Sequence, residues 1–261
     1  MEPPSFWFLE YLNKIFERLF DFIMRALIPL LLLVTTSTMA QLIIEDNVKF
    51  LALGDSYTIG ESVTTAERWP VQLLDSLSAR GLEYVDSKII ATTGWRTDDL
   101  AGAIKHAKIK TEYTLVSLLI GVNNFYQGKN AEAYEKEFEG LLKTAIKFAG
   151  GKKSHVFVLS IPDYGYTPFG KKNQLKISEG IDTFNKINET IARRLGVKYY
   201  NITDISRRGL AEPDLVAFDG LHPSGKMYAE WIDLILSDAQ IHHESEIADD
   251  DDDEDDEDDK W

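Results

Sequence analysis

The chain has 261 residues, enough for one domain with a sizeable core, and no cysteine, so disulfide frameworks, thiolate metal sites and cysteine nucleophiles are excluded. Its formal net charge of −15 is uneven: every residue in the run 249–259 is acidic, whereas residues 1–248 carry 32 acidic against 27 basic side chains. The body of the chain is therefore only mildly acidic and has no basic patch to draw it to nucleic acid.

The first 40 residues stand apart. Residues 1–23, "MEPPSFWFLEYLNKIFERLFDFI", interleave acids with aromatics, a pattern that suits an amphipathic segment lying on a membrane. Residues 24–41, "MRALIPLLLLVTTSTMAQ", read as a secretory signal: Arg25, an apolar run over 26–34, then small residues that include Thr38 and Ala40. That run is shorter than the roughly 20 apolar residues of a membrane-spanning helix. The expectation is an N-terminal extension and signal over 1–40, with translation starting at Met24 and cleavage after Ala40. The product would be secreted or periplasmic, with no membrane span. Retention of residues 1–40 would instead leave a membrane-anchored form.

From residue 41 to 247 short apolar runs alternate with amphipathic helices, the signature of a parallel sheet covered by helices. The first strand is expected over 49–53 and runs out at "GDSYTIG", where Ser56 stands. A helix then starts with Pro70 in its first turn and stops at Gly81. The second strand, 87–91, leads into "TTGWRT" with Gly94. The third, 113–120, contains "YTLVSLLIG", apolar on both faces as a central parallel strand must be, and leads into "GVNN" with Asn123 and Asn124.

Tyr134, Phe138, Leu141 and Ala145 line one face of the next helix. A fourth strand, 155–161, opens into the loop "IPDYGYTPFG". Ile177, Ile181, Phe184, Ile187, Ile191 and Leu195 mark a long helix closed by Gly196. The fifth strand is 198–201. After "FDGLHPSG" a last helix turns Tyr228, Trp231, Ile232 and Ile235 inward, with Pro223 expected in its first turn. The acidic segment 248–261 cannot bury apolar surface and is expected to be disordered.

Functional groups of an open parallel sheet gather outside the carboxyl ends of its strands. The residues placed there suit acyl transfer. A serine hydroxyl needs a base to take its proton, which assigns Ser56 as nucleophile and His222 as base. Asp219, three residues before His222, can hold the imidazole in one tautomer from a buried position. The oxyanion would be met by the backbone N–H of Ser56, by a backbone N–H at Gly94, which has no side chain in the way, and by the Asn123 amide. The loops 61–70 and 161–170, the latter with Tyr164, Tyr166 and Phe169, are expected to shape the substrate pocket. Arg96 reads as an exposed residue at a helix start.

These blocks, "GDSYTIG", "TTGWR", "GVNN" and "DGLHPS", resemble those of the SGNH hydrolases, also called GDSL-type esterases and lipases. The resemblance implies a flavodoxin-like three-layer α/β/α fold with a central five-stranded parallel sheet. It also implies hydrolysis of esters or thioesters without a cofactor. Asn124 departs from the Gly-x-Asn-Asp of that family, so a contact behind the site is expected to differ. The nucleophile elbow G-x-S-x-G is absent around Ser56, against an ordinary α/β-hydrolase.

The expected protein is a secreted serine esterase in the style of lysophospholipases and thioesterases, acting on a small-molecule ester. A carbohydrate O-acetyl esterase on the same scaffold and a catalytically silent lipid- or glycan-binding module are the other readings. No metal is expected, because no cluster of spaced histidines and acids occurs beyond Asp219 and His222.

Overall fold

The computed structural model describes residues 6–31, 40–110 and 112–243. The small-residue end of the expected signal up to residue 39 and the acidic run 249–259 lie outside the described residues. The chain divides into two units, Met1–Met39 and Ala40–Trp261.

The first unit contains α1 (Phe6–Leu31), a single 26-residue helix. It runs straight through Met24, because no glycine or proline interrupts the sequence from Phe6 to Ile28. The helix thus joins the first segment, from Phe6, to the beginning of the second, as far as Leu31. Trp7, Tyr11, Phe16, Phe20 and Phe22 are all exposed on it. Among the described residues, no helix is long and apolar enough to cross a membrane.

The second unit runs in chain order β1 (Ile43–Glu45), β2 (Val48–Gly54), α2 (Ser56–Ile59), α3 (Trp69–Ser78), β3 (Tyr84–Ala91) and α4 (Thr97–Ala107). It continues through β4 (Leu115–Leu119), α5 (Val122–Tyr126), α6 (Ala131–Phe148), β5 (Val156–Leu159) and α7 (Gln174–Leu195). It closes with β6 (Lys198–Tyr200), α8 (Thr203–Ser206), α9 (Gly225–Leu236) and β7 (Gln240–His242).

Five strands form one parallel sheet in the order β3-β2-β4-β5-β6. All five residues of β4 are buried, as an apolar run covered on both faces requires. α3 packs against α9, while α6 packs against α4 and α7, giving a helical layer on each side of the sheet. The fold is the expected α/β sandwich.

Three details differ from the sequence reading. β3 begins at Tyr84 rather than 87; its first five residues are exposed on an edge strand and show no alternation of apolar and polar side chains. Pro223 precedes the helix cap instead of entering the first turn of α9. It pairs with Val216 in an isolated bridge, and Ser224 caps the helix through the Met227 N–H. A second, two-stranded parallel sheet joins β1 to β7, elements too short to show a period of two.

β2 lies between β3 and β4, so the connections leaving it and returning beside it go to opposite sides. A crevice opens at its carboxyl end. The turn out of β4 borders this crevice and requires glycine. Gly121 has φ 131°, and a Cβ there would stand 2.4 Å from the Tyr134 hydroxyl oxygen and 2.8 Å from Ile161 Cδ1. That bare backbone lets α5, with Asn123 and Asn124, begin directly against the core.

Candidate active site

Ser56 is the first residue of α2, immediately beyond β2. Its N–H is one of the leading amides of a helix, which have no acceptor inside the helix. Asp55 caps this turn, its Oδ1 accepting from the Tyr57 N–H at 3.1 Å. Gly60 ends the turn with φ 71°. Ser56 is 5 % exposed, so the hydroxyl stands at the floor of a pocket rather than on open surface.

His222 lies on the turn before α9 and is 8 % exposed. Its Nδ1–H donates to Asp219 Oδ2 at 2.6 Å. The other carboxylate oxygen, Oδ1, accepts from the backbone N–H groups of Leu221 at 2.9 Å and His222 at 3.0 Å. Gly220, with φ 72°, makes the tight turn that brings carboxylate and ring together. The Tyr57 ring meets the imidazole edge-on at 5.7 Å between centroids, and the Tyr228 hydroxyl donates to the Tyr57 carbonyl at 3.0 Å.

Asp219 is not the buried carboxylate expected from the sequence: its side chain is 24 % exposed, because the 217–222 turn lies at the surface. Partial burial pushes its carboxyl up. The hydrogen bonds from Ser62, His222 and the two backbone amides outweigh this and hold it well below the usual carboxylate range. Ser62 is a residue that sequence reasoning missed. Its Oγ donates to Asp219 Oδ2 at 2.6 Å, the same oxygen that receives the imidazole. Ser62 does so from φ 66°, a left-handed conformation uncommon for serine. Beside it, the Glu61 carboxylate accepts from the Thr93 hydroxyl, next to Gly94. The loop 61–70 therefore braces the site instead of lining it.

Ser56, Asn123 and His222 line one pocket of about 170 Å3 with Tyr57, Val122, Tyr126, Tyr164, Phe169 and Leu221. Tyr166 is not on its wall. Gly94, with φ 81°, is not on the wall either but sits on the neighbouring turn, where its carbonyl accepts from Gln127 Nε2 at 3.3 Å. The Asn123 carboxamide donates one hydrogen to the Trp95 carbonyl at 3.0 Å. A second amide hydrogen is left for the pocket.

Asn124 is fully buried and faces away from this chemistry. Its Oδ1 accepts from the Thr97 N–H at 3.1 Å and its Nδ2 donates to Thr97 Oγ1 at 2.6 Å. The Thr97 hydroxyl in turn donates to Glu137. An amide is needed there because the threonine proton is already committed to a carboxylate. Glu137 is the compensating residue, and no local motif announces it. Arg96 stands at the start of α4 as expected, but it is half-buried rather than exposed, gripping Asp98 through two nitrogens at 2.9 Å.

Asp55 is wholly buried and, among the described residues, its Oδ2 has no partner. Burial pushes its carboxyl from 3.8 up to about 7, and the N–H groups of Tyr57, Asp55 and Gly121 pull it back only in part. Between pH 4 and 7 the folded protein therefore holds a proton that the unfolded chain has released. That stabilisation is complete below the unfolded value and disappears as pH rises through 7. Asp55→Asn should remove it. Relative to the variant, the wild type should lose stability as pH rises across this window, at about 1.4 kcal/mol per pH unit. Urea unfolding at a series of pH values reads this directly; parallel profiles would contradict it.

A sequence model of the GDSL-like Lipase/Acylhydrolase family matches residues 52–230. No curated protein matches the chain. Solved structures do. The acetylxylan esterase Axe2 from Geobacillus stearothermophilus aligns at 16% identity with a TM-score of 0.60, covering 75% of this chain and 95% of its own. The lipase/acylhydrolase from Enterococcus faecalis aligns at 19% identity and TM-score 0.58, covering 73% of this chain and 94% of its own. TesA aligns at 15% identity and TM-score 0.57, covering 72% and 96%. These likenesses carry the fold. The family match spans more than half of the sequence, and on it the chain is an ester-hydrolysing enzyme of the GDSL-like lipase/acylhydrolase family.

Proposed function

We propose that the protein hydrolyses carboxylic esters with Ser56 as nucleophile, His222 as general base and Asp219 as the group that orients it. The observation that carries this reading is the 2.6 Å bond from His222 Nδ1–H to Asp219, in a ring that shares a pocket with Ser56. With Nδ1 protonated and fixed, the Nε2 lone pair is the one free to accept a proton. Ser56 Oγ attacks the carbonyl carbon as its proton passes to Nε2. The tetrahedral oxyanion is met by the N–H of Ser56 and the second Asn123 amide hydrogen, with the N–H at Gly94, on the turn beside the pocket, as the third donor of the proposal. Each such donor is worth about 3–4 kcal/mol in the transition state. Collapse expels the alcohol, which takes the proton from His222, and water then releases the acid by the same steps in reverse.

The pocket at Ser56, about 170 Å3, is smaller than the ~300–1,000 Å3 of most ligand sites. This favours a short acyl group over a long one, and with it the O-acetyl or short-acyl reading over a long-chain lipase. Residues 24–40 serve, in this proposal, as a secretory signal. Native protein whose N-terminal sequence starts at Gln41 would agree, and one that retains the Phe6–Leu31 helix would sink secretion by cleavage.

The direct test is hydrolysis of p-nitrophenyl acetate, butyrate and octanoate by the purified protein and by Ser56→Ala. Turnover should favour the two short esters and fall by roughly 10⁴-fold or more in the variant. Equal turnover by the variant would remove Ser56 from the mechanism.

A further inference from the structure

The catalytic pocket does not end at its aromatic wall. Tyr126, Tyr164 and Phe169 belong at once to that pocket and to an adjoining groove of about 650 Å3. Tyr126 is 61% exposed and Phe169 54%, large rings left in water at the junction of the two spaces. Isolated surface apolar groups need no explanation, but two at the mouth of a site suit contact with a bound molecule.

The groove also has a different chemistry from the pocket. Lys129, Lys176 and Asn173 line it and, among the described residues, no carboxylate does. Lys176 forms no ion pair among the described residues. Lys129 is loosely held, 3.4 Å from an Asp98 carboxylate that Arg96 already grips at 2.9 Å. Lys171 and Lys172 stand on the short turn between Gly170 and Asn173, at the same rim. Aromatic rings beside one ammonium without an ion pair, Lys176, and one held only weakly, Lys129, suit a molecule that is apolar near the reacting bond and anionic beyond it.

We infer that this groove is the leaving-group subsite, and that Lys129 and Lys176 select esters whose alcohol portion carries an anionic group, a carboxylate or a phosphate. The inference rests on the esterase reading above and adds to it the charge of the substrate. The small pocket at Ser56 takes the acyl group. The alcohol lies across Tyr126 and Phe169, and its charge reaches the lysines. No new bond chemistry is involved: the ester is cleaved as before, and the anionic alcohol departs with the proton from His222.

The test uses two pairs of esters on the purified full-length protein. Phenyl butyrate against 4-(butyryloxy)benzoate places the charge on the alcohol. p-Nitrophenyl pentanoate against the mono-p-nitrophenyl ester of glutaric acid places it on the acyl chain. The readout is the ratio of kcat/KM for the charged over the uncharged member, which is independent of how much of a variant is folded. Comparing that ratio between proteins also cancels the electronic effect of the carboxylate.

In Lys129→Met/Lys176→Met the alcohol-side ratio should fall about five- to ten-fold through KM, the scale of two partly screened ion pairs. It should be restored by Lys129→Arg/Lys176→Arg. In the wild type the ratio should also fall as salt is raised to about 0.5 M. The acyl-side ratio should not change in any of these comparisons. An unchanged alcohol-side ratio in the double methionine variant would overturn the subsite, and a change confined to the acyl-side pair would overturn its assignment to the leaving group. Failure of the parent reading looks different: there the uncharged esters themselves would not be turned over, or Ser56→Ala would turn them over equally well.

Discussion

The site depends on where β2 lies in the sheet. With β3 on one side and β4 on the other, the chain leaving β2 and the chain leaving β4 emerge side by side at the carboxyl edge. Ser56 follows β2 by two residues and Asn123 follows β4 by four. Two short helices, α2 and α5, turn these residues into one crevice. The backbone geometry is enforced by Gly121, whose positive φ and close neighbours Tyr134 and Ile161 leave no space for a side chain.

Around that crevice the polar groups are treated unequally, and the differences match the roles proposed for them. Asn124, Thr97 and Glu137 form a satisfied chain of hydrogen bonds behind the wall, which fixes α5 against α4. Asp219 accepts four hydrogen bonds and stays ionised beside His222. Asp55 is left with one oxygen unpartnered in full burial and holds its proton more tightly. Below pH 7 the protonated Asp55 can cap the Ser56 turn without adding a second negative charge beside the oxyanion of the proposed mechanism. The ionised carboxylate of Asp219 is bonded to His222 Nδ1, where the proposed mechanism requires it to stabilise an imidazolium.

Much of the fold was legible because buried parallel strands write themselves as apolar runs. β2 and β4 are covered on both faces and were readable, as was the apolar stripe of α6 and the αL glycine ending α7. The first half of β3 was not, since Tyr84 and Val85 are exposed on the sheet edge. The β1–β7 pair was not either, since strands of three residues have no period to detect. Ser56, Asn123, Asp219 and His222 could be named because each follows a strand or precedes a helix in a recognisable block. Ser62 could not. Its bond to Asp219 joins positions 157 apart and rests on a conformation that nothing in the local sequence requires. Glu137 was hidden for the same reason: a surface-helix glutamate looks like any other until Thr97 is seen to donate to it.

The central claim is that Ser56 forms a covalent bond during turnover. A p-nitrophenyl alkylphosphonate offers the enzyme a tetrahedral phosphorus centre that the nucleophile attacks, expelling p-nitrophenolate and leaving a stable adduct. Incubation followed by peptide mass spectrometry should place a single phosphonyl group on the peptide containing Ser56, with one equivalent of p-nitrophenolate released per active protein. Labelling of a different residue, or a native protein that stays unlabelled while it turns over p-nitrophenyl butyrate, would contradict the account.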